Sequence, residues 1–190
     1  MRLLALLFTL TGLAAGELTA ADKKPLRALL ITGGCCHDYA KQKDILKQGL
    51  ERRINIVIDQ AHSDDKSTKP PLPIFGKPDY AKDYDIIIHD ECAAGISEAN
   101  TIAGVLAPHR KGVPGVNLHC AMHSYRSGDF RKPVKPGADN AKWFEYIGLQ
   151  STGHGPQQPI EIKFENNVPF ITKGIENWTT QGEELYNNVQ

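Results

Sequence analysis

Short apolar runs alternate with amphipathic helical segments along this chain, and no other feature constrains its fold as strongly. The first run, residues 26–32, reads LRALLIT and is closed by two glycines. Such a run is typical of a strand that is buried on both faces of a parallel sheet. The next segment, residues 38–53, is predicted to be an amphipathic helix because its apolar residues recur at helical spacing between charges. These residues are Tyr39, Ile45, Leu46 and Leu50.

The same alternation continues along the chain. Further strands are predicted over residues 54–59, 84–92 and 113–119, and further helices over residues 98–112 and 141–149. Ser97 is expected to cap the first of these two helices and Gly112 to end it. Residues 159–164 alternate in polarity, which favours an exposed or edge strand. The sequence therefore predicts one α/β domain with a flavodoxin-like, doubly wound and mainly parallel sheet and helices on both faces.

The N-terminus has the pattern of a secretory signal peptide. A positive start at Arg2 is followed by an apolar stretch over residues 3–15 and by small residues at Thr19, Ala20 and Ala21. Residues 1–21 are therefore predicted to be removed and the mature protein to be exported, to the periplasm or the medium. An uncleaved anchor helix is the alternative. The 22 basic and 22 acidic residues balance, which predicts no nucleic-acid partner and no membrane association after signal cleavage.

Export makes the four cysteines candidates for disulfide bonds rather than for cytosolic redox chemistry. They are Cys35, Cys36, Cys92 and Cys120. The adjacent pair Cys35 and Cys36 is poorly disposed to close on itself, because an eight-membered ring strains the peptide between them. Any bridge is therefore expected to be long-range. The alternative for Cys36 and Cys92 is simple packing, since cysteine is among the most buried residue types.

Reactive side chains gather where three of the predicted strands end. Residues 35–38 (CCHD) follow the first strand, residues 89–92 (HDEC) end the third, and His119, Cys120 and His123 follow the fourth. Neighbouring strands lie about 4.8 Å apart, so the three groups are expected to meet within roughly 10 Å at the carboxyl edge of the sheet. Open α/β sheets bind ligands at this edge, which makes it the predicted site.

Each of these residues could instead have a purely structural role. A site role is favoured for His37, His119 and His154, the last of which lies in a glycine-flanked loop. Asp90 and Glu91 could instead cap the following helix. We expect His109 to satisfy the last carbonyls of a helix or to lie in solvent, and His62 to lie in a loop.

Five segments together resemble the ThuA-like, or trehalose-utilisation, family. They read ALLITGGCCHDY, HDEC, GVNLHCAMHSYR, WFEYIGLQSTGHG and PFITKGIENWTTQGEELYNN. The resemblance implies a class I glutamine amidotransferase-like fold over residues 22–190, with VNLHCA at the nucleophile elbow. His119 rather than Cys120 then stands at the nucleophile position, which counts against amidotransfer. A register shifted by one residue would instead make Cys120 the nucleophile and His154 its base. Members of the family usually continue for several further elements, so the resemblance also implies a truncated version or a fragment.

The leading functional hypothesis is an exported domain that acts on or binds a carbohydrate or a related polyol at the carboxyl edge. The sugar class is implied by the resemblance alone. The candidate catalytic residues are His119, Cys120, His154, His37 and Glu91. The candidate substrate-binding residues are Asp38, Tyr39, Asp90, His123, Tyr125, Arg126 and Glu184, with Trp143 and Trp178 as either stacking or core residues.

Two alternatives belong to other classes of protein. The first is a sugar-binding or scaffold domain without turnover. The second is a metal-dependent hydrolase in which His37, His119 and His154 hold zinc or another divalent ion, with Glu91 as a further oxygen ligand and an open position for water. No compact ligand motif is present, so the sequence assigns no cofactor beyond this divalent metal, and it assigns no oligomeric state.

Overall fold

A four-stranded parallel sheet forms the centre of the protein. The computed structural model describes residues 24–165 and 169–189, so the predicted signal peptide lies outside the described residues. The strands are β1 (Leu26–Gly34), β2 (Ile56–Ser63), β3 (Ile86–Cys92) and β4 (Gly115–Asn117), in the order β2-β1-β3-β4. All three pairings are parallel. The predicted flavodoxin-like α/β fold is confirmed.

Helices cover both faces of this sheet, as predicted. They are α1 (Tyr39–Glu51), α2 (Ala99–Arg110) and α3 (Lys142–Ile147); a short α4 (Pro169–Thr172) follows later in the chain. Leu46 and Leu50 of α1 pack on one face against buried residues such as Leu30. The other face packs against α2 and α3, whose Trp143 is 1% exposed. Among the described residues, no helix has the length and apolar character needed to cross a membrane.

Two antiparallel strand pairs follow the central sheet. They consist of β5 (Gln150–His154) with β8 (Tyr186–Val189), and β6 (Gln158–Ile162) with β7 (Trp178–Glu183). The exposed strand predicted over residues 159–164 corresponds to β6. The pairing of β5 with β8 brings the tyrosine of β8 back to the carboxyl edge of the sheet.

Three local predictions were wrong. The second strand does not end at Asp59 but continues to Ser63, so His62 lies in a strand and not in a loop; its Nδ1 lies 2.8 Å from Thr32 Oγ1. Ile45 of α1 is 69% exposed. The strand β4 covers only three of the seven predicted residues, because the chain turns into a short 3-10 helix at His119.

The ends of α2 agree with the prediction only at the C-terminus. The helix begins after Glu98 instead of Ser97, and neither supplies a side-chain cap. Gly112 lies just beyond the helix with a φ of +95°, a conformation that glycine adopts without steric cost.

Candidate functional site

The strand register delivers the reactive groups to one edge. Gly34 at the end of β1 pairs with Cys92 at the end of β3, so the chain after β1 passes directly beside Cys92. A Cβ at Gly34 would overlap the carbonyl of Cys92, and the φ of Gly34 is +100°. Only glycine allows this approach. On the other side of β3, Leu118 N donates to His89 O at 2.8 Å, which starts the 3-10 helix His119–His123 at the same edge.

Cys120 is the centre of the resulting cluster. Its Sγ lies 3.1 Å from His37 Nε2 and 3.1 Å from Tyr186 Oη. Hydrogen bonds from Cys92, His119, His37 and Tyr186 hold the pKa of Cys120 well below its usual value. The hydrogen bond between Cys120 and His37 also raises the pKa of His37. The two shifts favour a thiolate paired with an imidazolium.

His119 flanks this pair from a strained backbone position. Its φ is +35°, which is rare for a residue with a side chain. The rings of His119 and His37 lie 5.1 Å apart, and His119 Nε2 lies 3.5 Å from Glu183 Oε1. The hydrogen bond with Cys120 raises the pKa of His119. The strained backbone conformation is therefore that of His119, whereas the short contacts are made by the sulfur of the next residue, Cys120.

The other three cysteines lie beside Cys120. Cys35 Sγ lies 3.4 Å from Cys92 Sγ and 2.6 Å from Cys36 Sγ. All four cysteines are free thiols in the structure. Cys92 and Cys120 are buried, whereas Cys36 is exposed.

Asp90 and Tyr39 lie behind the cluster, on the α1 side of the sheet. Asp90 is 2% exposed, and its Oδ1 accepts a hydrogen bond from Gln42 Nε2 at 3.0 Å. Burial raises the pKa of Asp90 to about 7, and the nearby Glu91 adds to this. Among the described residues, Asp90 Oδ2 and Tyr39 Oη have no hydrogen-bond partner. Asp38 instead lies exposed and pairs with Lys41 at 2.9 Å.

A cleft of about 480 Å³ opens onto the four cysteines. Tyr186 of β8 forms part of its wall, with His123, Arg126, His154 and Glu184. The ring of Tyr186 stacks on His123 at 4.2 Å. His123 Nε2 also lies 2.8 Å from Ser151 Oγ, and burial lowers the pKa of His123 to about 4. Its ring is therefore neutral at physiological pH.

The structure does not assemble the three histidines expected to hold a metal. His37 and His119 form a compact group with Cys120, in which all three ligand atoms lie within 4.8 Å of one another. His154 is not a member of this group. It lies on the wall of the cleft, with its Nδ1 2.9 Å from Gly155 O and 3.7 Å from Glu184 Oε2.

Glu91 and Tyr125 lie on the opposite face of the sheet, away from His119. Successive side chains of a strand point to opposite faces, so His89 and Glu91 enter the core below α2 while Asp90 and Cys92 face the cluster. Tyr125 Oη donates to Glu91 Oε1 at 2.7 Å, and Tyr125 is 2% exposed beside Trp143. Tyr125 is therefore a core residue and does not line the cleft.

A chain of polar groups leads from Glu91 to the end of α2. Glu91 Oε1 lies 2.9 Å from His89 Nδ1, and His89 Nε2 lies 3.0 Å from His109 Nε2. His109 Nδ1 donates to Val113 O at 2.8 Å, so its Nε2 accepts the proton of His89. Burial lowers the pKa of His109 to about 4.

We expect this buried histidine to make stability depend on pH. The unfolded chain protonates His109 near pH 6.5 and the folded protein only near pH 4, so its contribution is complete above pH 6.5 and is lost as the pH falls toward 4. The ring is half-buried, which limits the loss to roughly 1–2 kcal/mol. Urea unfolding of wild type and His109→Gln between pH 4 and 7 measures this loss of stability. The free energy of unfolding of wild type relative to the variant should fall at low pH. A difference that does not change with pH would contradict the lowered pKa of His109.

Tyr186 is the site residue that the sequence analysis missed. Its neighbour Glu184 was a candidate, but Tyr186 lies in a segment whose pairing partner, β5, is more than thirty residues away. The segment over residues 183–190 is predicted to begin a strand, which the structure confirms as β8, but the sequence does not indicate that Tyr186 lies beside Cys120.

The fold and the site define a flavodoxin-like α/β protein with a cysteine and histidine centre at the carboxyl edge of its sheet. The fold is shared with a crystal structure of a protein from Parabacteroides merdae ATCC 43184 that is described as ThuA-like, with a TM-score of 0.56 and 18% identity. The match covers 86% of this chain and 63% of the other, so this chain spans less than two thirds of the length of that protein. The ThuA-like resemblance is confirmed at the level of the fold. No protein-family model and no curated protein matches the chain.

Proposed function

We propose that this exported protein binds a small carbohydrate or related polyol in the cleft and acts on it through the Cys120 thiolate. The observation that carries the proposal is the contact of 3.1 Å between Cys120 Sγ and His37 Nε2 at the carboxyl edge. A cysteine within hydrogen-bond reach of a histidine is the arrangement of an activated thiol nucleophile. The ThuA-like fold supports the sugar class, and the signal-peptide pattern supports export.

The cleft has the size and the polarity that a small sugar requires. Its volume of about 480 Å³ falls in the range of ~300–1,000 Å³ that small-molecule sites occupy. Arg126 and His154 offer hydrogen-bond donors, and Glu184 offers acceptors. Tyr186 presents an aromatic ring with a polar end, which suits a ligand with both apolar and hydroxylated faces.

Addition to a carbonyl carbon is the step that fits both a thiolate and a sugar. In the open-chain form of an aldose or ketose, a bond forms from Cys120 Sγ to the carbonyl carbon while the carbonyl π bond breaks and its electron pair moves to oxygen. The His37 imidazolium then gives its Nε2 proton to that oxygen. The product is a hemithioacetal or hemithioketal, so the step needs no oxidant, reductant or further reactant.

A carbonyl-labelled sugar tests this step directly. With a ketose or aldose carrying ¹³C at the carbonyl, we expect wild type to shift the carbonyl resonance to that of a tetrahedral carbon bonded to sulfur. Cys120→Ser should abolish the adduct, and His37→Gln should slow its formation by about 10²-fold or more. His109→Gln, a histidine substitution on the other face of the sheet, is the matched control and should form the adduct at the wild-type rate. An undiminished adduct in Cys120→Ser would refute the proposal.

A second candidate function is binding without turnover. Cys120 is 5% exposed, and its sulfur already accepts hydrogen bonds from several donors. The nucleophilicity of a thiolate falls as its pKa falls, which favours a stable anion at the floor of a binding site. Saturable binding of the labelled sugar to wild type and to Cys120→Ser, with no adduct in either, would establish this alternative.

A further inference from the structure

We infer that Cys35, Cys36 and Cys92 form a binding site for one thiophilic metal ion, zinc(II) or copper(I), at the edge of the cleft. The three Sγ atoms lie within 4.8 Å of one another. Soft thiolate ligands select these two ions over magnesium or calcium. The inference goes beyond the proposed function, which depends on Cys120 and His37.

To hold such an ion, the sulfur atoms must move apart, and Cys36 Sγ must move farthest from Cys35 Sγ. Thiolates about 2.3 Å from zinc lie roughly 3.8 Å apart in a tetrahedral site. The distance between Cys35 Sγ and Cys92 Sγ is 3.4 Å, and that between Cys35 Sγ and Cys36 Sγ is 2.6 Å. Cys36 is exposed, so rotation of its side chain can widen the shorter contact without moving the core.

The backbone holds Cys36 in a conformation that packing does not explain. Its φ is +85°, in the left-handed region that costs an ordinary residue about 1–2 kcal/mol. A glycine at this position would not have this conformational cost. Because Cys36 is exposed, burial of its side chain offsets little of the cost. The conformation instead turns Cys36 Sγ toward Cys35. An observed strain of this kind at a cluster of reactive groups indicates a functional constraint.

A metal ion must compete with protons for these three closely spaced sulfur atoms. Three thiolates at these positions would repel one another unless a positive ion lay between them. Metal binding must therefore displace protons from the thiols.

Titration of the reduced, metal-free full chain under anaerobic conditions tests the inference. We expect Co²⁺ to give the charge-transfer absorption of cobalt bound to thiolate, at one ion per chain and with release of protons. Zn²⁺ should displace the cobalt. Competition between the protein and a chromogenic chelator for Cu⁺ gives the affinity of the site for copper. The affinities for Zn²⁺ and Cu⁺ then show which ion the site prefers. Cys36→Ser should weaken binding at least ~10-fold. Thr68→Ala, a change in the same cleft that removes no ligand, should leave it unchanged.

Several results would overturn the inference. They are the absence of a stoichiometric ion, unchanged affinity in Cys36→Ser, and a disulfide within the cluster that resists mild reduction. Circular dichroism shows whether the Cys36→Ser variant is folded. We expect it to be folded, because Cys36 is exposed. Metal affinity lost in Cys36→Ser with the Cys120 adduct retained would support both proposals, whereas an absent adduct in a wild-type protein that binds metal would refute only the carbonyl chemistry.

Discussion

Replacing Glu91 by alanine is expected to destabilise the folded protein by about 3–5 kcal/mol, because it leaves the buried polar groups of His89 and Tyr125 without their hydrogen-bond partner and opens a cavity in the core. Glu91 and His89 are both 0% exposed, and their side chains lie 2.9 Å apart. Tyr125 Oη, which donates to the same carboxylate, would also lose its partner. The loss approaches half of the total stability of an ordinary domain.

Urea unfolding followed by circular dichroism measures this effect. Glu91→Gln keeps the volume and an acceptor for Tyr125, so we expect a smaller loss than in Glu91→Ala. Glu161→Ala is the matched control, because Glu161 is exposed and forms a surface ion pair with Lys163 at 3.1 Å; a change within about 0.5 kcal/mol is expected there. If Glu91→Ala were as stable as wild type but inactive, the catalytic role suggested by the sequence would be restored.

Replacing Trp143 by alanine is expected to destabilise the protein by a similar amount, about 3–5 kcal/mol, through the cavity it leaves in the core. Trp143 is 1% exposed, and its ring contacts Tyr125 with the centroids 4.6 Å apart. Its Nε1 donates to Ala121 O at 2.9 Å. Since Ala121 follows Cys120 in the 3-10 helix, the variant should also disturb the position of the Cys120 sulfur.

The second tryptophan provides the control for this prediction. Trp178 is 52% exposed on β7, so Trp178→Ala should cost less than Trp143→Ala in the same unfolding experiment. Trp143→Phe separates the two contributions, because it retains most of the ring volume and removes the hydrogen bond to Ala121. Equal losses for Trp143→Ala and Trp178→Ala would show that Trp143 is not the core residue described above.

The central strands could be predicted well because burial on both faces leaves a plain signal. β1 contains the apolar run at residues 28–31 and β3 begins with three isoleucines, and both strands were predicted close to their observed positions. β2 lies at the edge of the sheet; its first half alternates buried and exposed residues, and its second half alternates partly buried and buried ones. Polar residues such as Asp59 and Gln60 therefore ended the predicted strand early. An edge strand resembles a loop wherever one of its faces meets solvent.

The carboxyl edge could also be predicted, but not which residues share a face of the sheet. His89 and Glu91 were grouped with His119 because all follow or end strands. The two-residue period of a strand places them opposite Asp90 and Cys92, and because the strand was predicted over residues 84–92, this period could have separated the two pairs. The contact of Tyr186 with Cys120 depends on long-range pairing, for which local pattern carries no signal.

The pairing of β5 with β8 makes the cleft a junction between two separately hydrogen-bonded sheets. Cys120 and His37 belong to the central sheet and the segments that follow its strands, whereas Tyr186 belongs to the β5–β8 pair. A ligand that contacts both walls stabilises the contact between the two sheets. Ligand binding in the cleft is therefore expected to reduce the local opening of β8. Amide hydrogens of β8 should therefore exchange more slowly in the bound protein, while those of β1 keep the protection set by global unfolding.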